Sequence, residues 1–115
     1  MKLKHEQIQY IEFLSINLER AEKFYNACFG WTFQDYGPDY TAFEGDHIDG
    51  GFTLGKPRKG STLVILYSEK LEETKAKIEK SGGKIVKDIF SFPGGRRFHF
   101  TDPDGNELAV WAEAS

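Results

Sequence analysis

Hydrophobic residues along the chain follow a strand-like period first and a helical period next. Residues 8–16 are rich in β-branched and aromatic types with imperfect alternation, which predicts a β-strand. Apolar side chains then recur three and four positions apart, the spacing of an amphipathic helix. They are Ala21, Phe24, Tyr25, Cys28 and Phe29. Asn17 is a suitable N-cap and Gly30 a suitable C-cap for this helix. Further strands are predicted at about residues 31–33, 40–43 and 52–54.

The same order of elements begins again after a polar, turn-rich linker over residues 56–61. The second set is a strand at 62–67, a helix that Ser68 caps and Gly82–Gly83 ends, extended segments at 84–86 and 89–92, and a closing hairpin.

The two halves match when the sequence is shifted by 53 residues, which places Gly30 on Gly83 at the end of each helix. The sequence therefore predicts a single α+β domain over residues 1–115, built from two βαβββ modules. The first module covers about residues 6–56 and the second about 61–113. Because one helix covers only one face of its strands, the other face is expected to form the concave surface of a mixed sheet.

The closing hairpin contains the strongest turn signal of the chain, Asp-Pro-Asp-Gly-Asn. Pro103 fixes its own φ, and Gly105 can adopt a positive φ without steric cost. Asp102 and Asp104 can accept hydrogen bonds from the local backbone. A tight turn is therefore predicted between two strands.

Composition excludes several classes of protein. The chain has 115 residues, 10 Phe, 5 Tyr and 2 Trp, and a net charge of −3, which argues against nucleic-acid binding. No apolar run approaches the roughly 18 residues of a membrane span, and the first residues lack an apolar signal core, so a cytoplasmic protein without a membrane partner is expected. The single cysteine, Cys28, excludes an internal disulfide and is expected to be a buried apolar residue.

Four motifs stand out in the chain, at residues 17–25, 29–31, 81–83 and 98–106. In their order and spacing they resemble those of the vicinal oxygen chelate superfamily. That superfamily includes glyoxalase I, the fosfomycin-resistance transferases, the extradiol dioxygenases and the bleomycin-resistance binding proteins. The similarity covers nearly the whole chain and is greatest to the small glyoxalase-like and bleomycin-resistance-like members. It implies the glyoxalase fold and a homodimer in which the partner chain completes the concave face.

The resemblance also implies a divalent metal ion on the concave face, held by His, Gln or Glu. The corresponding positions here are Tyr10, Leu63 and Ala109. Leu and Ala have no ligand atom, and a neutral phenol with a pKa near 10 binds metal poorly. We therefore predict no family-type metal and no other cofactor. A relocated site stays an alternative, and its candidate ligands are His5, His47, His99, Glu12 and Glu107.

Candidate site residues follow from strand alternation and from the resemblance. Since residues two apart share a face, Tyr10 and Glu12 are expected on the concave surface together, as are the alternate residues around Ala109. The resemblance places Arg97 and His99 where the resistance transferases contact their substrates. Glu12 and His99 are the candidates for acid–base catalysis. The predicted ligand-binding residues are Tyr10, Glu12, Leu63, Tyr67, Arg97, His99 and Trp111.

Three functions are compatible with the sequence. The first is metal-independent binding of a small molecule in an aromatic cavity at a dimer interface. The second is a lyase or isomerase of the glyoxalase type, which uses either a relocated metal or Glu12 and His99 without metal. The third is an interaction module, which the complete repeat disfavours.

Overall fold

The computed structural model describes residues 3–114, and it confirms the predicted order of strand, helix and three strands, twice over. Within these residues neither helix is long and apolar enough to cross a membrane. The elements are β1 Tyr10–Ser15, α1 Leu18–Phe29, β2 Phe33–Asp35, β3 Tyr40–Phe43, β4 Asp49–Leu54, β5 Val64–Tyr67, α2 Leu71–Lys80, β6 Lys84–Phe92, β7 Gly95–Thr101 and β8 Glu107–Glu113.

Each module forms its own four-stranded mixed sheet. The strand orders are β1-β4-β3-β2 and β5-β8-β7-β6, so the two sheets have the same topology. The first strand of each module pairs in parallel with the last, and the other neighbours are antiparallel. As a result β1 and β5 are both edge strands.

The first helix begins and ends where the sequence predicts. The side chain of Asn17 accepts a hydrogen bond from the backbone N–H of Arg20 at 3.1 Å, and Gly30 ends the helix with a φ of 74°. The second helix begins later than predicted, because Lys70 takes the N-cap position without a side-chain bond. Ser68 instead accepts from the Lys70 N–H and bonds the Thr74 hydroxyl, as in a serine turn.

Two strand predictions differ from the structure. The segments predicted at 84–86 and 89–92 form one strand, β6, whose register shifts twice, between Ile85 and Lys87 and between Lys87 and Phe90. These irregularities interrupt the alternation that a sequence pattern would show. In addition β2 begins at Phe33, because Trp31 packs on Tyr25 with ring centroids 4.9 Å apart instead of joining the strand.

The two modules share one hydrophobic core. From α1, Phe24 and Phe29 each lie 6.3 Å from the ring of Phe100, which belongs to the second module. Cys28 is buried in the same cluster, as predicted for a small apolar residue. The helices therefore lie on one side of the sheets and leave the opposite faces open.

The turn between β7 and β8 connects the second module to the first. Asp102 is buried; one carboxylate oxygen accepts from the backbone N–H groups of Asp104 and Asn106, and the other accepts from the Tyr25 hydroxyl at 2.8 Å. Burial raises the pKa of this carboxyl above its usual range. The Asn106 amide also donates to the Leu14 carbonyl at 2.9 Å. The predicted turn is thus a contact between modules as well as a hairpin loop.

Asp104 completes this contact with a fully buried side chain. Its carboxylate accepts from the Ser15 hydroxyl at 2.7 Å, from the Ile16 N–H at 2.9 Å and from the Arg20 guanidinium at 2.9 Å. These three donors lie at the end of β1 and on the first turn of α1. The carboxylate therefore ties both elements of the first module to the turn of the second.

We expect Asp104→Ala to lower the free energy of unfolding by about 3 kcal/mol, because it leaves three donors without their acceptor. Urea denaturation measures this change. Asp46→Ala, in the exposed loop before β4, is the matched control and should change stability by less than about 0.5 kcal/mol. Equal effects of the two substitutions would show that the turn does not hold the modules together.

Candidate functional site

The open faces of the two sheets carry the side chains that strand alternation in the sequence predicted for the concave surface. In the second sheet Ile65 and His99 are both registered with Ala109, and Arg97 is registered with Trp111. The residues between them, such as Phe98, belong to the shared core. The open face is thus the one turned away from the helices.

A cleft of about 760 Å³ lies at the junction of the modules. One wall is the edge strand β1, and the other is formed by the start of β5, the linker before it and the β7–β8 turn. Glu12 and Leu63, both predicted as ligand-binding residues, line it. Leu14, Val86, Thr101 and Glu107 add apolar and polar groups, and Arg58 and Lys59 lie at its linker side. The size and the mixed lining are typical of small-molecule sites.

His99 is paired with Glu107, whereas the sequence-based hypothesis paired it with Glu12. Its Nδ1 lies 2.9 Å from the Glu107 carboxylate, and the imidazole is only 7% exposed. Because an ionised carboxylate only accepts hydrogen bonds, Nδ1 carries a proton; in the neutral tautomer with this proton, Nε2 is a free acceptor. Glu107 is half-exposed and lines the cleft, so it connects the buried imidazole to the cleft wall.

Two buried nitrogen atoms in this region have no hydrogen-bond partner among residues 3–114. They are Nε2 of His99 and Nε of Arg97. An unsatisfied buried polar atom costs about 1–3 kcal/mol, so such atoms in a native structure require an explanation. The Arg97 guanidinium lies 5.4 Å from the ring centre of Phe90 and 5.8 Å from that of Phe92. It forms none of the salt bridges found among residues 3–114.

The open face of the first sheet carries a pair of tyrosines. The hydroxyls of Tyr10 and Tyr40 are 2.6 Å apart, directly above Gly51. A Cβ at Gly51 would lie 2.6 Å from both oxygens, so only glycine allows this pair to form. Burial, and then the bonds to Tyr10 and Glu12, raise the pKa of Tyr40 well above its usual value.

The positions of the family's metal ligands do not fit a metal ion. The Tyr10 hydroxyl is engaged with Tyr40, Leu63 is a wall of the cleft, and Ala109 is fully buried. Two of the three side chains have no donor atom. Among residues 3–114 no group of three or more His, Cys, Asp or Glu side chains is arranged to hold a metal. Of the candidates for a relocated site, His5 is exposed next to Glu6 at 2.8 Å.

The seven predicted ligand-binding residues lie in three places on the open faces. Tyr10 is in the tyrosine pair, and Glu12 and Leu63 are in the cleft. The other four lie on the second sheet, where Tyr67 packs against Trp111 at 5.3 Å; they are Tyr67, Arg97, His99 and Trp111. The aromatic side chains expected to form the cavity wall therefore lie beside the cleft and not in it.

Sequence reasoning missed three residues of these faces, which are Tyr40, Phe90 and Phe92. Strand alternation could have found Tyr40, because it lies two positions before Ala42 on β3, and Ala42 is registered with Gly51. Phe90 and Phe92 could not be assigned in this way, since β6 shifts its register before them.

Comparison with known proteins gives consistent results. A sequence model described as "Glyoxalase/Bleomycin resistance protein/Dioxygenase superfamily" matches residues 7–110. A "Glyoxylase-like domain-containing protein" of Didymella fabae is 32% identical over 123 residues, covering 92% of this chain and 93% of that protein.

Solved structures show the same fold at low sequence identity. A glyoxalase/bleomycin resistance protein/dioxygenase family enzyme from Burkholderia phytofirmans superposes with a TM-score of 0.82 at 11% identity, covering 92% of this chain and 98% of that one. A glyoxalase-related enzyme from Fulvimarina pelagi gives a TM-score of 0.81 at 20% identity, covering 94% and 88%.

Proposed function

The chain belongs to the Glyoxalase/Bleomycin resistance protein/Dioxygenase superfamily, and from this premise we propose that it is a cytoplasmic protein that binds a small organic molecule without the family's divalent metal. The observation that carries the proposal is the cleft of about 760 Å³ between the modules. A cleft of this size accommodates a molecule of ordinary metabolite dimensions.

The lining of the cleft supports a ligand with both apolar and polar parts. Leu14, Leu63 and Val86 supply apolar surface, which favours burial of a hydrocarbon portion. Glu12 and Glu107 supply acceptors that would fix the orientation of hydroxyl or amine groups. This division of roles is what distinguishes a binding cleft from a gap in packing.

The chemistry of the residues at the ligand positions supports metal independence. The side chains of Leu63 and Ala109 have no atom that can coordinate an ion. Binding in this cleft would then rely on hydrogen bonds and apolar contacts of the chain itself.

We expect compounds from a fragment library to show saturation-transfer NMR signals with the wild-type protein, and to lose them with Leu63→Trp, because the larger ring fills the cleft. Ile48→Trp is the matched control, since it adds the same ring at an exposed position that does not line the cleft. The signals should persist after dialysis against EDTA.

Two results would contradict this proposal. Signals that survive in Leu63→Trp would place the ligand elsewhere, and signals that disappear with EDTA would show that a metal is needed. Thermal unfolding of both variants would establish that they are folded during the experiment.

We also propose that the protein is a homodimer whose open faces are covered at the interface. Tyr10, Ile65 and Tyr67 lie on these faces and are 41%, 44% and 50% exposed. Apolar side chains exposed together on one surface are typical of an interaction site. A partner chain would bury them and would enclose the cleft region.

Light scattering should give a mass of twice the 13.1 kDa of one chain for the wild type. Ile65→Lys should shift the mass toward one chain, because it buries a charge at the interface. Leu3→Lys, at an exposed position near the N-terminus, should leave the mass unchanged. A wild-type protein of 13.1 kDa at micromolar concentration would refute the dimer.

A second candidate function is acid–base catalysis of the lyase or isomerase type. The observation that favours it is the His99–Glu107 pair, in which one carboxylate both lines the cleft and orients a buried imidazole. Such a carboxylate–imidazole arrangement is the form in which a general base is commonly held.

If this function is correct, a fragment that binds in the cleft should exchange an acidic C–H proton for deuterium faster in the presence of protein, measured by proton NMR in deuterated water. Glu107→Gln should slow the exchange by about 100-fold or more, the usual contribution of a general base. Glu69→Gln, at an exposed position outside the cleft, is the control. Exchange that is unaffected by Glu107→Gln would leave a binding function alone.

A further inference from the structure

We infer that the open face of the second sheet selects an aromatic hydroxy acid, whose carboxylate pairs with Arg97 and whose hydroxyl donates to His99 Nε2. The inference rests on the proposed function, the binding of a small organic molecule, and goes beyond it, because it assigns a class of ligand to the face beside the cleft. The residues concerned, called here the Arg97 cluster, are Arg97, His99, Phe90, Phe92 and Trp111.

Arg97 is the arginine of this cluster. The side chain lies on the open face, in register with Trp111 on one side and Phe90 on the other. No carboxylate of residues 3–114 forms a salt bridge with it. The two acidic groups that β8 places on this face are both engaged, Glu107 with His99 and Glu113 with the Tyr67 hydroxyl.

The neighbouring Arg96 shows what a satisfied arginine looks like in this strand. It points to the helix side and holds the Glu72 carboxylate with two nitrogens, at 2.7 and 3.3 Å. Arg97 has the same fork of donors without such a partner, and its Nε is buried and unsatisfied. A planar carboxylate from a ligand is the group that this fork binds best.

Within residues 3–114, the Arg97 guanidinium has ring contacts but no ion pair. Its guanidinium lies over Phe90 and Phe92 at 5.4 and 5.8 Å. It can therefore turn toward a ligand without breaking an ion pair. The same rings favour a flat bound group, because planar groups stack on aromatic faces.

His99 supplies the second half of the recognition. In the neutral tautomer whose Nδ1 donates to Glu107, Nε2 is an acceptor, and among residues 3–114 no donor reaches it in a side chain that is 7% exposed. A ligand hydroxyl is a donor of the required kind. A cationic ligand would be repelled by Arg97, and a simple carboxylate would leave Nε2 unsatisfied.

Aromatic walls complete the selection. Trp111 lies 6.4 Å from Phe92 and 5.3 Å from Tyr67, so rings flank the arginine on both neighbouring strands. These rings favour a flat apolar body between the carboxylate and the hydroxyl. The Arg97 guanidinium, His99 Nε2 and the aromatic walls together fit a ligand whose aromatic ring carries both a carboxylate and a hydroxyl group.

The probe for this inference is 3-hydroxybenzoate, titrated into the folded protein and followed by two-dimensional amide NMR at neutral pH. We expect saturable shifts in β7 and β8 for the wild type. Two analogues each remove one feature: 3-hydroxybenzamide lacks the negative charge, and 3-methoxybenzoate lacks the hydroxyl proton. Each should bind about tenfold or more weakly, the size expected for losing a charge-assisted or a buried hydrogen bond.

Arg97→Gln should weaken 3-hydroxybenzoate binding by about tenfold or more. This variant should bind 3-hydroxybenzoate and 3-hydroxybenzamide with equal affinity. Arg97→Lys should recover part of the preference, because it keeps the charge but loses the fork. Arg96→Gln is the matched control: it removes the adjacent arginine on the opposite face and should leave the affinity within about twofold.

Four outcomes would overturn the inference: no saturable binding of 3-hydroxybenzoate, equal binding of the amide by the wild type, equal losses in the two Gln variants, or tighter binding of phenylphosphonate than of either benzoate. If library fragments still bind in the cleft and are lost in Leu63→Trp, the proposed function stands while this inference fails. If nothing binds at either place, both fail.

Discussion

The buried carboxylate of Asp104 is the interaction on which the arrangement of the two modules depends. It accepts hydrogen bonds from Ser15, Ile16 and Arg20, so the turn of the second module is fixed to the end of β1 and the start of α1. A buried charge is tolerated only when hydrogen bonds and an opposite charge satisfy it, which makes this geometry specific. Asp102 fixes the turn itself and adds the bond to Tyr25 in the core. The cleft lies next to this contact, with Asn106 in its wall, and its width is therefore set by the same few bonds.

Fixing the modules in this way places both helices on one side and leaves both open faces on the other. On the open face of the first sheet, a small residue leaves room for larger neighbours. Gly51 allows two tyrosine hydroxyls to meet above the strand, and in the second sheet the corresponding position is Ala109, covered by its neighbours. The two open faces thus have the same backbone and different chemistry. The first face carries the phenols of Tyr10 and Tyr40 and the Glu12 carboxylate. The second face also carries a phenol and a carboxylate, and it adds a guanidinium and an imidazole.

Sequence reasoning could predict the fold because its signals are local. The cap at Asn17, the stripe that contains Tyr25 and the turn at Gly105 each follow from a few adjacent residues, and strand alternation assigns the open face without knowledge of the pairing. It could not predict the partner of His99. Glu107 is registered with Thr101, and the imidazole reaches it diagonally, so the pair depends on a register that the bonds inside the turn determine. Sequence reasoning also could not predict the ring partners of Arg97. Phe90 and Phe92 lie on β6, and this strand shifts its register twice before them.

The chemistry of the site follows from the loss of ligand atoms as much as from the groups that are present. A divalent ion would neutralise Glu12 and Glu107 and would dominate the local electrostatics of the concave surface. Leu63 and Ala109 at two of its positions offer no side-chain ligand for such an ion, and the Arg97 guanidinium and the Lys87 ammonium supply positive charge beside the Phe90 ring. The guanidinium group of arginine carries a permanent positive charge in proteins. A site that stabilises a negative ligand with a fixed organic cation selects by shape and hydrogen-bond direction, since the guanidinium offers donors only in its plane. The fold alone does not set such selectivity, because one fold can carry many different sites.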